Sequence, residues 1–201
     1  MLAVKLILAS GSPRRAEILA AAGIPFETHP TTVNESRLPN ESPDAMVERL
    51  ALAKARAAAS ALRMAQQAVV LGADTVVVVD DEVLGKPGTP QRACEMLLRL
   101  RGREHLVISG VALLRVTPGT PEAIGDSGAG HEITRVWFAP MTDEEVDEYV
   151  ATGEPLDKAG GYAIQGRAGR FIPRIEGCYF NVVGLPLARV NQMLGDLGLV
   201  K

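Results

Sequence analysis

Short apolar blocks alternate with helical patterns along most of the chain. Residues 4–9 form a first apolar run that predicts a strand. The stretch from Pro13 to residue 22 predicts a helix, and residues 26–29 a second strand. Ser42 followed by Pro43 starts a longer helix, whose alanine-rich interior carries it to about residue 67. "AVVLGADTVVVVDDEVLG" is dense in β-branched residues and predicts a strand, a break at Gly72, a second strand and a tight turn at Asp80 and Asp81. A helix over 89–100 and the strand "HLVISGVALLRV" follow. Residues 117–130 read as an exposed loop and "HEITRVWF" as a strand. "TDEEVDEYV" reads as a helix with a capping box, Thr142 capping and Glu145 three residues on. Beyond it, "GEPLDKAGGYAIQGRAGRF" holds five glycines and follows no helical or strand period. A loop that long in a compact domain is usually functional. Short strands at "RFIPRI" and "YFNVVG" and a last helix over 186–194 complete the pattern.

This alternation predicts an α/β fold, and 201 residues suffice for a single domain, 1–201, with a full core. Apolar residues at 47% and charged residues at 22% are ordinary globular values. A net charge of −3 argues against a surface built for nucleic acid, so any phosphate binding must be local. In the opening "MLAVKLILASGSPRR", Lys5 interrupts the apolar run and arginines follow it, which fits a buried strand better than a signal peptide. No apolar run approaches the ~18 residues that span a membrane. Cys94 and Cys178 share no metal or redox spacing with each other or with His29, His105 and His131. They read as small buried hydrophobes, and the expected compartment is the cytoplasm.

The candidate chemistry starts at "SGSPRR". With Ser12 as N-cap and Pro13 as the first helical residue, Arg14 and Arg15 fall in the first turn, where the helix dipole disfavours each cation by about 0.3–1 kcal/mol. A bound anion would reverse that sign, and the stretch would then be a phosphate site. Alternatively, the arginines reach back to solvent or to acidic neighbours. Asp74 and Thr75 stand where a buried strand begins, and a carboxylate there needs a partner or a metal. It is a metal ligand, a base that activates water, or a cap on a neighbouring turn. Glu35 can join Asp74 around a hard cation or be a loop charge. Lys54, inside the alanine-rich helix, and Lys86, in "LGKP", are phosphate contacts or solvated lysines. His105 precedes a strand and reads as structural, satisfying a nearby backbone group. "DKAGGYAIQG" offers Asp157, Lys158, Tyr162 and Gln165 among glycines that allow close approach of backbone to a ligand. Gln165 can both donate and accept, which suits a nucleobase edge or a water near a phosphate; alternatively the loop is a structured surface turn.

With no Ser/His/Asp order and no Walker-type glycine loop, this set favours metal-assisted attack of water on a phosphate ester or anhydride. The residues alone do not say which bond is cut.

"LILASGSPRR", "GADTVVVVDDEVLGKP", "RGREHLVISGVAL", "GEPLDKAGGYAIQG" and "NVVGLPL" together closely resemble the Maf family of nucleoside triphosphate pyrophosphatases, from about residue 5 to 194. The resemblance implies an elongated, strongly bent mixed β-sheet with flanking helices, forming two lobes around a cleft. It implies hydrolysis of a nucleoside triphosphate to the monophosphate and pyrophosphate with a divalent cation, Mg²⁺ or Mn²⁺, in a homodimer. On matching positions Asp74 is the proton acceptor, and Arg14, Thr75 and Gln165 set substrate choice. Ser10, Ser12 and Arg15 line the phosphate loop, and Glu35, Lys54 and Lys86 close the triphosphate and metal site, with Glu35 and Asp74 as metal ligands. "SPRR", "ADT" and "DKAGGYAIQG" resemble the branch acting on dTTP and UTP, and modified pyrimidine nucleotides are further candidate substrates. Arg101 stands where serine is common in that family and Ser109 where threonine is common. The alternative is a nucleotide-binding regulator of septum formation or cell division without significant turnover.

Overall fold

The computed structural model describes residues 4–62, 67–117 and 124–199, and of 124–127 the backbone alone. In chain order the elements are β1 (Lys5–Leu8), α1 (Pro13–Ala21), β2 (Glu27–Thr28), α2 (Pro43–Ala61), β3 (Ala68–Val79), β4 (Glu82–Leu84), α3 (Pro90–Leu100) and β5 (Glu104–Val116). There follow β6 (Ile124–Trp137), α4 (Asp143–Ala151), three 3-10 turns (Glu154–Asp157, Ala159–Gly161 and Arg167–Phe171), β7 (Arg174–Glu176), α5 (Tyr179–Val183) and α6 (Leu187–Asp196). Among the described residues the strands form one seven-stranded mixed sheet, ordered β2-β1-β3-β5-β6-β7 with β4 paired to β3. β1 runs parallel to β2 and β3, while β4 and β7 are antiparallel to β3 and β6. A mixed sheet with flanking helices is the class that the sequence predicts.

The helix starts follow local chemistry. α1, α2 and α3 each open with proline at the first helical position behind Ser12, Ser42 or Thr89. The Ser42 and Thr89 hydroxyls accept from the N–H groups of Ala45 and Arg92, whereas the Ser12 side chain makes no capping bond. α4 carries the predicted capping box between Thr142 and Glu145. Asp80 and Asp81 both adopt positive φ, 51° and 59°, the requirement of the tight hairpin turn between β3 and β4.

The chain divides into two compact units, Met1–Asp74 with Ser109–Glu132 and Gly184–Lys201, and Thr75–Ile108 with Ile133–Val183. In the first unit α2 lies with its backbone directly on the sheet. A Cβ at Gly72 would stand 2.0 Å from the Ala51 carbonyl oxygen, and one at Gly110 would stand 2.3 Å from that of Val47. The predicted break at Gly72 is therefore wrong. β3 runs unbroken from Ala68 to Val79, and the glycine serves close helix approach rather than a bend. Ala55 and Ala58 of α2 complete the contact in an apolar cluster with Ile7, Val70 and Leu114.

Other expectations are corrected as well. α2 ends at Ala61, because Leu62 turns to an extended conformation. Residues 63–66 of the predicted helix lie outside the described residues. Of the expected loop over 117–130, residues 118–123 lie outside the described residues, and from Ile124 on it is part of β6, held by pairing with β5. "YFNVV" is helix α5 rather than a strand. Its buried Asn181 amide donates to the Val107 carbonyl and to Thr134 Oγ1, two distant acceptors that override β-branched propensity. Of "RFIPRI", Arg170 and Phe171 belong to a 3-10 turn and only Arg174 and Ile175 to β7.

The second unit has its own core, built from Val77, Leu97, Leu100, Val136, Phe138, Tyr149 and Phe171 among others. His105 belongs to it, 3% exposed, with Nε2 2.7 Å from the Tyr162 hydroxyl and edge-on ring contacts to Phe138 and Tyr162. Its role is structural, as expected, although the partner is a phenol rather than a backbone group. Burial pulls the imidazole pKa from 6.5 down to about 4. Cys94 and Cys178 are half-buried free thiols rather than fully buried ones.

Gly72→Ala forces α2 off the sheet and should lower the unfolding free energy by about 1–3 kcal/mol, read as a lower urea midpoint at constant m-value. An unchanged midpoint would refute the contact. Between pH 6.5 and 4 the unfolded chain takes up a proton at His105 that the folded chain refuses, so stability drops as pH falls through this window. His105→Gln should remove about 2–3 kcal/mol of the stability difference between pH 7 and pH 4.5. Identical pH profiles for the two proteins would show that His105 is not buried neutral.

Candidate active site

The approach of α2 to the sheet sets the position of the first charged group. Asp74 lies two residues beyond Gly72 and so on the same face of β3, under the helix whose Ala51 and Ala55 cover that glycine. Lys54 comes between those two alanines in sequence. Its ammonium reaches Asp74 Oδ1 at 2.6 Å and Glu35 Oε1 at 2.6 Å. Asp74 and Lys54 are 7% and 9% exposed, whereas half of the Glu35 side chain meets solvent. Burial pushes the Asp74 carboxyl above its ordinary pKa, against the opposing pull of the Lys54 ammonium and then of Arg15, while Glu35 adds to the rise.

Glu35 projects from a segment that α2 clamps. Arg49 donates from Nε and Nη2 to the two carboxylate oxygens of Glu41, at 2.5 and 2.8 Å, and from Nη2 to the Ser36 carbonyl at 3.0 Å. This fork holds the Glu41 carboxyl at a pKa of about 2. Arg49 and Glu41 carry no motif spacing that would announce, from the chain alone, a clamp closed across the start of a helix.

The second charged group is the start of α1. Ser10 Oγ accepts from the Ser12 N–H at 3.2 Å and from Arg15 Nη1 at 3.1 Å, so the proton of its own hydroxyl is what it has left to offer. Arg15 also donates to the carbonyls of Ala73, at 2.9 Å, and Gly184, at 2.8 Å. The guanidinium thereby ties the first turn of α1 to the residue preceding Asp74. Of the two readings of the arginine pair, Arg15 fits neither in its simple form, because it turns inward to carbonyls. Arg14 is half-buried, and its side chain makes no hydrogen bond or ion pair among the described residues. The first unit thus brings together Ser10, Ser12, Arg15, Glu35, Lys54 and Asp74.

Thr75, Lys86 and Gln165 belong to the second unit. Thr75 follows Asp74 in β3 and is half-buried. Lys86 is exposed, on a loop tied to the glycine-rich segment by Gly88 N–H to Leu156 O and Gly160 N–H to Gly85 O, both 3.0 Å. Gly160, at φ 66°, is required there, since a Cβ would meet the Val77 side chain at 2.7 Å. Asp157 pairs with its neighbour Lys158, and Gln165 is exposed.

Among the described residues no group of three or more His, Cys, Asp or Glu side chains is arranged to hold a metal ion. Asp74 and Glu35 nevertheless converge on one cationic nitrogen. Two carboxylates are the donor set from which Mg²⁺ is usually held when substrate phosphates and water supply the rest.

The sequence profile of the Maf family, described as Maf-like protein, matches residues 5–197. A dTTP/UTP pyrophosphatase of Moorella thermoacetica is 51% identical over 97% of this chain and 96% of its own. One of Symbiobacterium thermophilum is 53% identical over 96% and 94%, and one of Vibrio cholerae 46% identical over 94% and 96%. A family match that runs nearly from end to end, with relatives at this level of identity, makes the chain a member of the Maf family.

Proposed function

We propose that this protein hydrolyses nucleoside triphosphates, dTTP and UTP first among them, to the monophosphate and pyrophosphate, with modified pyrimidine nucleotides as further substrates. The observation that carries this reading is the buried Lys54 ammonium shared between Asp74 and Glu35, next to an α1 N-terminus that Arg15 ties to Ala73. The relatives named dTTP/UTP pyrophosphatase support the choice of substrate.

Asp74 acts as general base. Burial raises its basicity while Lys54 keeps it ionised, and it takes the proton of the water that breaks the anhydride bond between the α- and β-phosphates. The Ser10 hydroxyl and the first N–H groups of α1 bind phosphate oxygens, with Ser12 and Arg15 shaping that turn. Arg14 and Lys86, whose side chains make no hydrogen bond or ion pair with a described residue, supply positive charge to the triphosphate and the leaving pyrophosphate. Asp74 and Glu35 would hold a divalent cation, Mg²⁺ or Mn²⁺, which when bound neutralises phosphate oxygens. Thr75 and Gln165 contact the base. Residues 1–201 work as one Maf-like domain, in a cytoplasmic homodimer that binds neither nucleic acid nor membrane. Among the described residues no helix is long and apolar enough to cross a membrane.

With Mg²⁺ present, the purified protein should release pyrophosphate, not orthophosphate, from dTTP and UTP in preference to CTP, GTP, 7-methyl-GTP and ATP. Nucleotide binding without turnover would favour the division regulator instead. Asp74→Asn should lower kcat by about 10²–10⁴-fold, and a loss under tenfold would remove Asp74 from the role of base.

A further inference from the structure

Gln165 occupies the third position of a tight turn closed by the Gly166 N–H donating to the Ala163 carbonyl at 3.0 Å. A polar side chain on an exposed turn ordinarily samples many orientations, which would make a poor reader of a base edge. This turn is held on both flanks by the same pair of side chains. Two residues before Gln165, the Ala163 N–H donates to the Tyr149 hydroxyl at 3.2 Å. Two residues after it, the Arg167 N–H donates to both carboxylate oxygens of Glu154, each at 3.2 Å. The Tyr149 hydroxyl in turn donates to Glu154 Oε1 at 2.8 Å, joining the two anchors.

The rest of the surroundings match this arrangement. The Tyr149 ring is 2% exposed in the core of the second unit, so its hydroxyl is fixed by packing. Gly166 is the residue between Gln165 and the Glu154 anchor, and a Cβ there would stand 2.2 Å from Glu154 Oε1. The glycine therefore makes room for the carboxylate. Thr152 donates to the Tyr149 carbonyl at 2.6 Å and accepts from the Glu154 N–H at 3.2 Å, which closes the end of α4 and aims Glu154 back at the turn.

We propose that Tyr149 and Glu154 are positioning residues for Gln165, fixing the backbone on either side of it so that its amide reads the pyrimidine base. The proposal rests on the reading of Gln165 as a base contact. Neither residue touches the substrate. Their effect is on discrimination between bases and on KM, and not on the chemical step, which belongs to Asp74. A merely structural role would instead lower thermal stability and reduce the rate alike for every nucleotide.

The experiment compares kcat/KM for UTP and CTP in the wild type, Tyr149→Phe, Glu154→Gln, Gln165→Ala and Tyr149→Phe/Gln165→Ala, with melting temperatures alongside. Tyr149→Phe keeps the buried ring and Glu154→Gln keeps the shape, so at least one is expected to fold. Tyr149→Phe and Glu154→Gln should each lower the UTP-over-CTP ratio by about tenfold, the worth of one lost hydrogen bond, with kcat for UTP within about threefold of wild type. The double variant should be no less selective than Gln165→Ala alone, as for groups that act through one another. If Gln165→Ala loses selectivity while both anchor variants keep it, the positioning role is overturned and the reading of Gln165 stands. If Gln165→Ala keeps selectivity, the reading of Gln165 falls and the proposal with it. Equal loss of kcat for UTP and CTP in both anchor variants would show a structural role only.

Discussion

The close approach of α2 to the sheet is the constraint on which the first unit depends. Two glycines on neighbouring strands, Gly72 and Gly110, leave no side chain between sheet and helix, and the helix backbone at Val47 and Ala51 fills the space. Successive contacts one turn apart match the spacing of adjacent strands, so the direction of α2 across β5 and β3 is set along with its height. Once that is set, the long Lys54 side chain next to Ala55 places its ammonium on Asp74 and Glu35 together. A helix standing a normal side chain's width above the sheet would carry the ammonium away from the carboxylate. Packing and charge placement are therefore the same event here.

Burying a carboxylate and an ammonium costs more than their attraction returns unless further partners are supplied. Here Glu35 supplies one for Lys54, and Arg15 contributes a second positive charge near Asp74. The outcome is a cluster in which the carboxyl basicity is raised by burial and restrained by two cations. Arg15 also resolves an apparent conflict of local chemistry. A cation in the first turn of a helix opposes the dipole, yet this one turns inward, where the carbonyls of Ala73 and Gly184 accept from it. The guanidinium thus serves the sheet rather than the helix end it starts from.

The second unit handles polar chemistry differently. Its glycine-rich segment holds short 3-10 turns but no long helix or strand. Order comes from single side chains that each satisfy several backbone groups, Glu154 and Tyr149 around Gln165, and Asn181 with Thr134 at α5. Arg101 takes part in a similar way, donating to the Met141 carbonyl and to the Asp143 carboxylate at the start of α4. Such anchors let a segment without helical or strand periodicity hold one conformation.

Much of this was legible in the chain itself, because the signals are local. A Ser or Thr before proline starts α1, α2 and α3, a capping box starts α4, and two aspartates with positive φ close the hairpin, each through atoms within a few residues of one another. The candidate residues Ser10, Ser12, Arg15, Glu35, Lys54 and Asp74 could also be listed from their types and motifs. Their grouping around one ammonium could not, since Glu35 and Asp74 reach Lys54 from separate segments. Tertiary contacts decided the rest. Gly72 reads as a break until the helix above it is known, and "YFNVV" reads as a strand until the acceptors of Asn181 are known. The glycine-bearing start of β6 reads as loop until β5 pairs with it. The starts of α1 to α4 and the side chains that carry charge can be read along the chain, because caps, turns and residue chemistry act over a few bonds. Which charges are buried together cannot, because that depends on how closely a helix and a sheet, far apart in the chain, approach one another.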